Sequence, residues 1–184
     1  MQIGYMTMIR LATVEDIPEL LAIEAISFQH GRWKRSQFYR LIQYGKGKFW
    51  VYELYKKNKV LFGEFKLLGY LYITPQGRIL SIASISKIGG VGSALLQVAE
   101  EYCRFGKYQV TKVGNTLMAW ELTRTGIRAS TMRLEVCVLN QNAIRFYEKH
   151  GFKLYGRKEN YYSNGETALL YKKELSNVQP SDTL

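Results

Sequence analysis

The sequence predicts an α/β (α+β) domain, with a sheet carrying helices on both faces. Two observations lead there. Short runs rich in β-branched and aromatic residues recur along the chain, and in the second half they alternate with stretches whose apolar residues fall at helical spacing. Strands followed by alternating helices and strands bury their apolar faces best as a sheet with helices packed on it. At 184 residues and 47% apolar composition, one core in one domain is expected.

Taken in order, residues 8–12 read as a strand and residues 15–27 as an amphipathic helix on Ile17, Leu20, Leu21 and Ile26. Thr13 or Asp16 caps that helix, and Pro18 is tolerated because it falls in the first turn. Ser36 is the expected cap of a second helix bearing Phe38, Leu41 and Ile42. Strands are expected at 49–55, 67–74 and 79–85, separated by a lysine-rich turn at 56–59 and a Pro75-Gln76-Gly77 turn. A helix at 93–104 follows. Residues 105–131 read as an insertion, with 115–124 able to form a short helix and glycines at 106, 114 and 126 interrupting it. Strand 132–138, helix 140–150, strand 152–162, a turn at 163–165 and strand 167–174 complete the domain at 1–175, with 176–184 as a flexible tail.

Lys and Arg number 26 against 15 Asp and Glu, a formal charge of +11, so the surface attracts anions. The basic residues are scattered rather than gathered in a run, which reads as a solvated basic surface and not as a nucleic-acid tail. No stretch approaches the roughly 20 apolar residues of a membrane span, and the start of the chain lacks the order of a signal peptide. A cytoplasmic protein is expected. Cys103 and Cys137 have neither zinc nor redox spacing and are expected to be reduced, packed thiols; no metal is expected.

The first chemically informative stretch is Lys87-Ile88-Gly89-Gly90-Val91-Gly92-Ser93, between an apolar strand and an amphipathic helix. Glycines there let backbone approach a ligand, and the free N–H groups of a helix start suit an anionic phosphate. A Walker loop is excluded because no Gly-Lys-Ser/Thr is present. A dinucleotide fingerprint is excluded because Leu95 stands at its third glycine. On this stretch alone, a tight turn with no ligand remains equally open.

Further on come Arg133-Leu134-Glu135-Val136, then Asn140, Ala143, Phe146-Tyr147-Glu148-Lys149-His150-Gly151-Phe152, and Asn160-Tyr161-Tyr162 with Gly165-Glu166. With the glycine turn, this set resembles the GNAT superfamily of acetyl-CoA-dependent N-acetyltransferases, and within it the RimI-type enzymes that acetylate a ribosomal protein's N-terminal alanine. The resemblance covers residues 9–175. It implies a mixed, mostly antiparallel central sheet of about six to seven strands. It also implies that Ile82, Ala83 and Ser84 lie along the pantetheine arm of acetyl-CoA. Lys87, Ile88, Gly89, Gly90, Val91, Gly92 and Ser93 match the pyrophosphate loop, and Asn140 matches a cofactor-contacting asparagine. Glu135 matches the general base, and Tyr147 the acid that protonates the departing thiolate. The chemistry suits these types, since an amine must lose a proton to attack a thioester and the thiolate must regain one.

The pattern is not followed everywhere. Between Ala83 and Lys87 the chain is about two residues short of the usual loop, Lys87 replaces the usual Arg or Gln and loses its fork, and the 105–131 insertion has no counterpart. His150 reads as structural at a helix end, and His30 as a loop residue in the region that borders the family's acceptor site.

The leading function is direct acetyl transfer to a protein N-terminal α-amine, ribosomal or other, by a monomer or homodimer. The alternatives are a GNAT enzyme acting on a small-molecule amine or lysine side chain, and, from another class, a non-catalytic basic module binding the ribosome or RNA. Direct nucleic-acid binding is not expected, because no RNA-binding motif is present.

Overall fold

A computed structural model describes residues 4–57, 65–85, 89–105, 116–118 and 129–175. The lysine turn beyond residue 57, most of the 105–131 insertion, and the 176–184 tail lie outside the described residues.

The chain opens with β1 (Gly4–Leu11), a 3-10 turn at Val14–Asp16, then α1 (Ile17–Ser27) and α2 (Arg35–Tyr44). β2 (Lys48–Lys57), β3 (Phe65–Ile73) and β4 (Ile79–Ser84) form an antiparallel meander, and α3 (Val91–Phe105) follows. β5 (Thr116–Met118) precedes β6 (Thr131–Cys137), α4 (Gln141–Lys149), β7 (Lys153–Lys158) and β8 (Ala168–Glu174). The described strands divide between a five-stranded sheet, β4-β3-β2-β1-β5, and a three-stranded sheet, β6-β8-β7. All pairings within them are antiparallel except β1 with β5.

Period-two alternation explains the layering. On β2, Phe49 and Val51 point to one face with Tyr70 and Tyr72 of β3, where Ile17, Leu20 and Ile23 of α1 and Phe38 of α2 cover them. Trp50 and Tyr52 point to the other face and meet Leu95, Leu96, Ala99 and Tyr102 of α3. Helices therefore occupy both faces, as expected. Arg10 locks the entrance to α1: its Nε donates to Glu53 Oε2 at 2.5 Å, and its two terminal nitrogens donate to Asp16 at 2.7 and 2.8 Å.

Four local expectations are corrected. The backbone N–H of Lys34 donates to Gln37 Oε1 at 2.8 Å, so α2 is capped there, two residues earlier than Ser36. α3 begins at Val91 rather than 93, with Ala94 N–H reaching Gly90 O at 2.9 Å. Residues 116–118 form a strand beside β1 instead of joining a helix, because β1 offers an open parallel edge there. β7 ends at Lys158, because Asn160 takes a positive φ of 51° and breaks the extended run.

Candidate functional site

The two sheets meet between β4 and β6. These strands run parallel and are joined by an isolated bridge just before β4, Arg78 with Arg133, where Arg133 N–H donates to Gly77 O at 2.9 Å. Beyond that bridge they form no ladder and belong to different sheets. Their carboxyl ends lead toward the starts of α3 and α4. A gap between parallel strands at their carboxyl ends is where an open α/β sheet takes ligands, because helix starts and loop backbone converge there.

On the β4 side, Ser84 is exposed, Ile82 is half-buried against the α3 core, and Ala83 turns the opposite way into the α1/α2 core. Only the backbone of Ala83 can serve a ligand. Lys87 and Ile88 lie outside the described residues. Gly89 and Gly90 form the turn, and a Cβ on either would meet nothing within 4 Å. Gly90 has φ +98°, which a side chain would strain. The backbone N–H groups of Val91, Gly92 and Ser93 stand in the first turn of a 15-residue helix, where intrahelical partners are lacking and the dipole favours an anion. Val91 itself is buried in the core. Gly92 answers to packing as well, since a Cβ there would sit 3.2 Å from the Phe146 ring of α4. His150 ties the same two helices: Nδ1 donates to the Phe146 carbonyl at 2.7 Å, and Nε2 pairs with Ser93 Oγ at 2.9 Å. Open glycines, free helix-start donors and a seryl hydroxyl fit a pyrophosphate.

On the β6 side, Asn140 is the N-cap of α4, its Oδ1 accepting from Ala143 N–H at 3.1 Å. That cap explains the asparagine without a ligand. Tyr147 is buried, edge-on to Phe146 and Phe152. Burial pushes its phenol well above the ordinary tyrosine range, with a smaller contribution from Tyr162. The proton therefore stays on at neutral pH, as an acid requires. Tyr162 is itself pushed up to about 12, first by burial and then by the surrounding Cys137, Tyr161, Glu135 and Glu166. It is the common neighbour that links Tyr147 to Glu135.

Glu135 does not stand alone. Arg78 Nε donates to its Oε2 at 3.1 Å, Arg78 Nη2 lies 3.0 Å from its Oε1, and the same nitrogen donates to the Tyr161 hydroxyl at 3.0 Å. A carboxylate held by this fork must loosen one contact to take a proton from an ammonium. Cys137, two residues along the same face of β6, donates to Glu166 Oε2 at 2.9 Å, and that hydrogen bond lowers the Glu166 carboxyl. His30 lies in the connection between α1 and α2. That connection is pinned from within: the buried Glu24 accepts from Trp33 N–H at 2.8 Å and from the Tyr70 hydroxyl.

Arg78, Tyr161, Tyr162, Cys137 and Glu166 thus join a neighbourhood for which the sequence nominated Glu135 and Tyr147. Tyr161 and Tyr162 carried a signal, as part of the Asn160-Tyr161-Tyr162 stretch. Arg78 carried none, since its partner lies 57 residues away.

The same architecture recurs in solved structures. The ribosomal-protein-S18-alanine N-acetyltransferase of Escherichia coli superposes with a TM-score of 0.65 over 97% of this chain and 99% of its own, at 20% identity. Arabidopsis thaliana NAA60 in complex with acetyl-CoA superposes at 0.67 over 92% and 98%, at 15% identity. The chain has the GNAT N-acetyltransferase fold. In sequence, the chain is 29% identical over 170 residues to an N-alpha-acetyltransferase of Sulfolobus acidocaldarius, covering 88% of this chain and 89% of that one. No family model matches the sequence. Among the described residues, no helix is long and apolar enough to cross a membrane.

Proposed function

We propose that this chain transfers an acetyl group directly from acetyl-CoA to the α-amine at a protein N-terminus. What supports the reading is the parting of β4 and β6 into separate sheets, with the anion-fitting start of α3 following one strand and Glu135 and the buried Tyr147 on the other strand and the helix after it. The likeness to N-α-acetyltransferases in both fold and sequence supports it.

In this mechanism acetyl-CoA is a substrate that supplies the activated acyl group. The N–H groups of Val91, Gly92 and Ser93, with those of the turn at Gly89 and Gly90, hold its pyrophosphate. Lys87 and Ile88 precede that turn in the sequence, and Asn140 offers its amide nitrogen while its oxygen caps α4. The edge backbone of Ile82, Ala83 and Ser84 orients the amide-bearing arm. Glu135 receives the proton of the acceptor ammonium, directly or through one water, and the neutral amine attacks the thioester carbon. As the carbon–sulfur bond breaks, the Tyr147 hydroxyl gives its proton to the thiolate. No covalent enzyme intermediate forms.

We place the reaction in the cytoplasm, a reading supported by two free thiols, Cys103 and Cys137. Incubating the protein with acetyl-CoA and a panel of N-terminal peptides, lysine peptides and small amines tests the function. Release of thiol only with free α-amino peptides is expected. Acetylation confined to lysine side chains or small amines would overturn the α-amine reading, and no turnover at all would overturn the enzyme.

A further inference from the structure

We propose that the acceptor end of the gap selects chains carrying a carboxylate within their first two residues, and that Arg78 reads that carboxylate. The inference rests on Glu135 serving the acceptor ammonium, as in the function proposed above.

Arg78 spends Nε and Nη2 on Glu135 and Tyr161. Its Nη1, with two N–H donors, donates to no described residue, and 46% of the side chain is exposed. It stands just before β4, beside the bridge that joins the two sheets, with its guanidinium on Glu135 of β6 and on Tyr161. A second cation is near: Lys158 Nζ lies 5.3 Å from the centre of the Tyr161 ring, the residue that Arg78 itself bonds.

The charge balance gives the selectivity its sign. In the resting site the Arg78 cation and the Glu135 anion compensate each other. When an acceptor ammonium settles on Glu135, one carboxylate serves two cations, with Lys158 as a third nearby. Glu166, the other carboxylate of the neighbourhood, accepts from the Cys137 thiol. Arg157 and Glu159, farther out, pair with each other at 3.3 Å. The missing countercharge is therefore most simply supplied by the acceptor. A carboxylate one or two residues from the reacting amine accepts a charge-assisted hydrogen bond from Nη1. A lysine there adds a further cation and is repelled.

Three peptides differing only within the first two residues, carrying Asp, Ala or Lys, test the proposal through kcat/KM. Asp over Ala by about tenfold is expected, with Lys lower again, and the ratio should shrink as salt is added because the groups are partly exposed. Equal values, or a preference for Lys, would overturn the selectivity while leaving α-amine acetylation standing. Acetylation of none of the three, nor of any other N-terminal peptide, would instead remove the parent reading and this one with it. In Arg78→Gln the Asp-to-Ala ratio should fall to about one, and in Arg78→Lys the order should persist with a smaller ratio. A ratio preserved in Arg78→Gln would remove Arg78 as the reader. Should Arg78→Gln be inactive or unfolded, Lys158→Ala decides in its place: a two- to threefold drop in the ratio supports the cationic end, and an unchanged ratio counts against it.

Discussion

Replacing Tyr147 by Phe removes one oxygen from a core position and nothing else. The ring is buried and packs edge-on against Phe146 and Phe152, contacts that Phe keeps. No described residue makes a hydrogen bond to the hydroxyl, so its loss strands no partner, and the stability change should stay within about 0.5 kcal/mol. For a chain of this size that is a melting shift of roughly 1–2 °C. Tyr147→Ala, by contrast, should cost about 3–5 kcal/mol through the cavity it leaves. If the hydroxyl protonates the leaving thiolate, Tyr147→Phe should lower kcat by about 10²- to 10⁴-fold, equivalent to roughly 2.7–5.4 kcal/mol of barrier. Because burial holds the phenol above its ordinary range, the defect should be the same at every pH from about 6 to 9. Initial rates of thiol release, acetyl-CoA affinity by calorimetry and melting by fluorescence separate these effects. A folded Tyr147→Phe protein turning over within twofold of the parent refutes the acid role. A defect that vanishes as pH rises refutes the argument from burial.

Four other outcomes follow from the geometry. Arg10→Met should cost about 2–4 kcal/mol in urea unfolding, because Asp16 and the buried Glu53 lose their shared cation; the range is discounted for the partial exposure of Arg10. Gly90→Val should cost about 1–2 kcal/mol from its positive φ and also weaken acetyl-CoA binding measured by calorimetry, whereas Gly92→Val should cost about 1–3 kcal/mol against the Phe146 ring. Asn140→Ala should lose about 1 kcal/mol as a missing helix cap, and any fall in acetyl-CoA affinity beyond that measures its contact with the substrate. Stability should decline from about pH 9 upward in urea melts. Cys103, Tyr162 and Tyr171 are each raised to about 12, so the unfolded chain sheds protons first and the stabilisation present below the unfolded values is lost as pH climbs toward 12.

Which features could be read from the chain depended on how far apart their causes lie. The amphipathic faces of α1 and α3, the apolar run of β4 and the glycine turn are local patterns, and each was found close to its place. The start of α3 at Val91 is hard to read because a glycine in a first helical turn is a poor helix former; Gly92 meets Phe146, 54 positions away, a contact visible only when α3 and α4 pack. Asn140 is legible as a residue of interest, but its cap on Ala143 is a structural cause that the family resemblance does not carry. The strand at 116–118 was missed because glycines around it mask a three-residue pairing that β1 alone supplies. Glu135 was found through its motif, whereas the guanidinium that grips it comes from a β-turn whose own sequence says only Gly-Arg. The division of the strands between two sheets followed the same rule, since nothing local marks the point where β4 and β6 part.

That parting leaves each sheet with a raw margin. β4 ends the five-stranded sheet and β6 the three-stranded one, so two rows of amide groups face a gap with a single backbone bridge across it. Margins of this kind are templates for foreign strands and for self-association. A substrate with amides along its length, seated in the gap, acts as a sealing strip as well as a reactant. If acetyl-CoA is that substrate, the empty protein should be the more aggregation-prone form, and added acetyl-CoA should raise its stability as any ligand does for the fold it binds.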